Sequence, residues 1–181
     1  MKKKMIISSI VFSLMMLFGN QVQAQKFSSL NKSPMDAASY PSAYNESNKL
    51  VKVVYSRPQL KGRSIAKLTN SGEIWRFGAN EAAEITFYTE MKLDGKTIKA
   101  GSYSIAAITG DTEWTIIVNT SLNGWGSSAF KDGTDVARIT VPATMASESI
   151  EAFSIAFEES DNGANMHLGW GTVRVAVPFT K

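Results

Sequence analysis

From Leu50 onward, apolar residues recur at every second position in short runs separated by Gly, Pro, Asn and Asp. A period of two marks a strand with one buried face. Leu50-Val51-Lys52-Val53-Val54-Tyr55 predicts such a strand, ended by Pro58, which cannot donate to a ladder. In 84–93, Ile85, Phe87, Thr89, Met91 and Leu93 share one face. Asp94-Gly95 then accepts the positive φ angles of a type I′ hairpin turn into Thr97-Ile98. Further strands are predicted over 102–108, 113–119, 134–141 (stopped by Pro142), 150–158, 166–170 and 173–179, with Gly171 marking a bend or bulge. Residues 59–73 have no clear period and read as a loop with one helical turn near 64–68. Residues 120–133 are the longest aperiodic stretch and read as a loop of the kind that carries function. About nine short strands at roughly ten-residue spacing predict an all-β fold, an antiparallel β-sandwich or jelly-roll-like architecture with little helix.

The N-terminus departs from this pattern. Lys2, Lys3 and Lys4 precede an apolar run over 5–18, and Val22-Gln23-Ala24 offers the small residues of a cleavage site. Residues 1–24 read as a secretory signal peptide. The run is shorter than the ~20 residues a membrane span needs, so no stable membrane insertion is expected after cleavage. The expected location is the periplasm or the exterior. Residues 25–48, rich in Ser, Asn and Ala, read as an extended leader, and 49–181 as a single β-sandwich domain. The chain has no Cys, which excludes disulfides and thiolate chemistry.

Charge sharpens the picture. Without the three lysines of the leader, the remaining chain is neutral overall. Nucleic acid is therefore not an expected partner. The balance is uneven, however. Residues 49–76 carry seven cations against Glu73, and the strands after them are acidic.

That basic stretch holds the unusual chemistry: Tyr55-Ser56-Arg57-Pro58, Lys61-Gly62-Arg63, and Trp75-Arg76-Phe77-Gly78-Ala79-Asn80-Glu81-Ala82. With Ala100-Gly101-Ser102-Tyr103-Ser104-Ile105, Trp114-Thr115-Ile116-Ile117-Val118-Asn119 and Trp125-Gly126, it resembles the exported bacterial proteins of the domain of unknown function 2911 family, from about Asn48 to Phe179. The resemblance implies an exported single domain and no assigned activity. Phe77 stands where the family usually has Thr. Thr69-Asn70-Ser71 stands where an aromatic is common.

Read on their own chemistry, Arg57, Lys61, Arg63 and Arg76 would converge on a carboxylate, sulfate or phosphate, since guanidinium forks fit such groups bidentately. The plainer alternative pairs them with Glu81, Glu84 or Asp135. Trp75 and Trp125 lie by Gly-containing segments and would stack on a flat ring or sugar, whereas Trp114 and Trp170 alternate into strand faces as core. Asn80 would orient a ligand, and Glu81 would act as acid or base if a second carboxylate stood near. His167 is the only His, which leaves no His-based zinc set or serine triad. No phosphate loop or dinucleotide fingerprint occurs, so no cofactor is expected. The expectation is a binding module for a small or oligomeric anionic ligand or glycan. The alternatives are a glycan hydrolase using Glu81, and a structural or protein-interaction module of the cell envelope.

Overall fold

The computed structural model describes residues 25–130 and 133–181. The expected signal peptide, 1–24, lies outside the described residues. The strands belong to the compact unit Asn31–Lys181. In chain order they are β1 (Met35–Tyr40), β2 (Val51–Ser56), helix α1 (Ile65–Thr69), β3 (Ile74–Trp75), β4 (Glu84–Phe87), β5 (Met91–Leu93), β6 (Lys96–Ile98), β7 (Gly101–Thr109), β8 (Glu113–Asn119), β9 (Asp135–Ser160) and β10 (Gly163–Thr180). All pairings are antiparallel. The strand order is β1-β2-β4-β7-β8-β9-β10-β5-β6, with β3 beside β7.

The all-β sandwich is as the alternating pattern predicts. Its two layers share one core: Trp75 stacks on Trp170 at 5.5 Å between ring centres, Tyr55 meets Phe153 at 5.6 Å, and Phe87 meets Phe179 at 5.4 Å. Asp94 and Gly95 have φ of 50° and 74°, both positive as the type I′ turn requires. The helical turn is α1, whose N-cap Ser64 accepts a hydrogen bond from the Lys67 N–H.

Four boundaries differ from the sequence expectation. Residues 134–141 and 150–158 are not separate strands but parts of β9, which runs through Pro142. Up to Pro142, β9 pairs with β8; from Ala143 it pairs with β10. Pro142 sits at the change of partner, where its missing N–H costs no ladder bond. Residues 166–170 and 173–179 likewise merge into β10, with Gly171 at φ 53° in the expected bulge. Arg174 pins the opposite bulge, donating to the carbonyls of Gly171, Val173 and Glu148. The run over 84–93 divides instead: β4 joins β2 and β7, while β5 joins β10 and β6. Finally, part of the extended leader is structural, since 35–40 form β1 and pair along the whole of β2.

Candidate functional site

The four cations do not converge. Arg57 is spent on structure. Its Nη1 binds Asp36 of β1 at 2.9 Å, its Nε donates to the Phe153 carbonyl at 3.0 Å, and its Nη2 donates to Ser154 Oγ at 2.6 Å. It thus clasps β1 to β9, which carries Phe153 and Ser154. Arg63 folds back on its own turn, donating to the carbonyls of Leu60 and Gln59. Lys61 is exposed at φ 48°, and its backbone N–H donates to Glu151 at 2.7 Å. None of the carboxylates expected as partners holds a cation of this group. Arg57 takes Asp36 instead, and Asp135 pairs with Arg138.

Arg76 differs from the other three. It is half-buried, and its Nε is fully shielded from solvent with no hydrogen-bond partner. No ion pair joins it to Glu81 or to any acid among the described residues. Leaving a buried donor unpaired costs about 1–3 kcal/mol. Such a group calls for a physical explanation.

Arg76 follows β3 and opens into a cleft of about 280 Å³ lined also by Leu68, Thr69, Asn70, Glu73, Ile74, Trp75 and Ser127. The cleft floor is rigid for identifiable reasons. Asn70 closes α1 in the left-handed conformation at φ 53°, and its N–H bonds back to Ala66. Buried Thr69 and Thr109 hydroxyls meet at 2.7 Å, and the Thr109 carbonyl accepts from both Gly72 N–H and Ser71 Oγ. The 69–73 turn is therefore fastened to the end of β7.

The far wall comes from the loop after β8. Glu81 and Trp125 form an isolated antiparallel bridge, flanked by Ala82 N–H to Gly124 O at 2.9 Å and Gly126 N–H to Asn80 O at 3.1 Å. Asn80 accepts this bond with φ at 63°, so its contribution is backbone geometry. The bridge brings Ser127 to the cleft and leaves Trp125 66% exposed two residues away. Trp75 is no ligand platform. It is 2% exposed and donates from Nε1 to Gly78 O. Phe77 is wholly buried against Trp75 at 5.7 Å, so the departure from the family's usual Thr adds an apolar core contact.

Glu81 itself is exposed and lines none of the three clefts described in the molecule. The structure therefore joins Asn80, Glu81 and Trp125 through one bridge, sets Arg76 in the cleft that Ser127 also lines, and leaves Arg57, Lys61 and Arg63 outside both. Thr69, Asn70, Glu73 and Ser127 were not expected at a site. Asn70 just before Gly72 carried a helix-ending signal, and Glu73 was visible only as the one acid in a basic stretch. Nothing around Ser127 marks it in the sequence.

The family model described as "Protein of unknown function (DUF2911)" matches residues 33–179. The match begins just before β1, upstream of the resemblance read from the motifs alone. No curated protein and no solved structure matches the chain.

Proposed function

The chain belongs to the family of proteins of unknown function DUF2911, and from that premise we propose that it is an exported binding module for a small anionic ligand held in the Arg76 cleft. One observation carries the reading: Arg76 lines a polar cleft, and its buried Nε has no acceptor among the described residues. An anionic oxygen in the cleft would pair with the rest of the guanidinium group, and such a charge-assisted bond is about twice as strong as a neutral one. Ser127 joins the lining, and Trp125, two residues before it and 66% exposed, is available as a stacking surface. Export is read from the N-terminal leader.

Four cations are thus reduced to one. Arg57 and Arg63 hold the scaffold, so a ligand meets Arg76 with Lys61 on a separate turn. A hydrolase reading has no second carboxylate paired with Glu81 in a cleft, and no observation favours it.

The test is a thermal-shift series with monocarboxylates, sugar acids, phosphate and dicarboxylates. At least one carboxylate should raise Tm in the wild type. Arg76→Gln should abolish that rise, and Arg63→Ala should leave it intact. A shift that survives in Arg76→Gln, or no shift with any anion, rejects the proposal.

A further inference from the structure

We infer that the ligand is a zwitterion of the α-amino acid class, its carboxylate on Arg76 and its ammonium on Glu73; this rests on the anion-binding reading above. Glu73 lines the same cleft as Arg76, yet no ion pair joins the two or ties Glu73 to any other cation among the described residues. The Glu73 N–H is held by the Asn70 carbonyl at 2.9 Å, which fixes the start of β3. Two opposite charges kept apart in one small cleft complement a molecule carrying the same two charges in reverse. A ligand with a second negative charge would meet the Glu73 carboxylate, so phosphate and dicarboxylates fit less well.

The rest of the cleft argues for size. Leu68, Ile74 and Trp75 also line it, beside the polar groups. Trp75 Nε1 is already bonded to Gly78 O at 3.1 Å, so that ring offers the cleft no donor. At ~30 Å³ per water, the cleft holds about nine water-sized atoms. That is the size of a free amino acid.

The experiment compares three molecules of one shape by calorimetry at neutral pH and low salt: leucine, 4-methylpentanoate and 2-hydroxy-4-methylpentanoate. Leucine should bind about fivefold more tightly than either analogue, the scale expected for one ammonium–carboxylate pair at a partly exposed site. Glu73→Gln should erase that preference while 4-methylpentanoate binds as well as before or better. Equal binding of all three overturns the zwitterion and leaves the anion site standing. The hydroxy acid matching leucine also overturns it, since Glu73 would then be accepting from a hydroxyl. If none of the three binds and no other anion does, both readings fall together. The comparison uses one intact protein, so no variant has to fold for it to decide.

Discussion

Arg57 and Arg76 show how one residue type serves opposite ends. Arg57 meets three acceptors on β1 and β9, whereas the buried Nε of Arg76 meets none among the described residues. Arg57→Ala should therefore lower stability by about 1.5–3 kcal/mol in urea titration, the range for hydrogen bonds involving a charged group. Most of that loss belongs to the Phe153 and Ser154 contacts, because the Asp36 pair is open to solvent. The tryptophans give a matching contrast. Trp75→Ala removes a ring packed against Phe77, Trp114, Phe153 and Trp170 and should cost about 3–5 kcal/mol. Trp125→Ala should stay within about 0.5 kcal/mol in the same titration, as expected of a surface side chain. In the sequence these two residues look alike, each in or beside a Gly-containing irregular stretch. What separates them is the second sheet, which covers Trp75 and stops short of Trp125.

At the scale of elements, the short-range signals are the legible ones. Asp94-Gly95 and the Ser64 cap act over a few residues, so their chemistry is complete in the sequence. The limits of β9 are not local. Pro142 reads as a stop because a central strand needs its donor, and only the exchange of β8 for β10 removes that need. The approach of β10 to its own hairpin is similarly invisible. A Cβ on Gly163 would lie 2.1 Å from the Phe179 carbonyl oxygen, a rigid backbone atom. Gly163→Ala should cost at least about 2 kcal/mol, visible as a lower urea midpoint. β1 gives a further check. Removing residues up to 30 should leave the midpoint unchanged, whereas removal through Tyr40 strips β2 of its partner along six residues. The shorter chain should unfold at lower urea and associate through the bared β2 edge in size-exclusion chromatography.

Across the whole molecule, the clasp between β1, β2 and β9 links stability to alkaline pH. Tyr55 Oη accepts the Ile155 N–H at 2.9 Å inside the core. Burial raises the Tyr55 pKa above its usual 10.0; the Ile155 bond and the Arg57 charge pull it down, and Asp36 pushes it up. Because the folded value is the higher one, the stabilisation from a neutral Tyr55 is fully present below the unfolded pKa. It is lost as pH rises from there through the folded value. Stability should be level from neutral pH to about 10 and fall beyond it in urea melts. Tyr55→Phe should flatten that alkaline fall while lowering stability at neutral pH, since the Ile155 N–H loses its acceptor.

The sequence by itself determined the alternation of buried and exposed positions, the tight turns, and hence an antiparallel all-β sandwich. These follow from the two-residue pleat and from backbone angles that only certain residues accept. The cation cluster was legible as a cluster but not as a set of partners. Asp36 lies before Arg57 in a segment with no period, and Phe153 and Ser154 lie almost a hundred residues after it. Only the tertiary structure decided which cations are consumed by the scaffold. It alone placed Ser127 in the cleft of Arg76. Hydrogen bonds and ion pairs saturate by proximity in space, and a β-sandwich brings together residues that the chain keeps far apart.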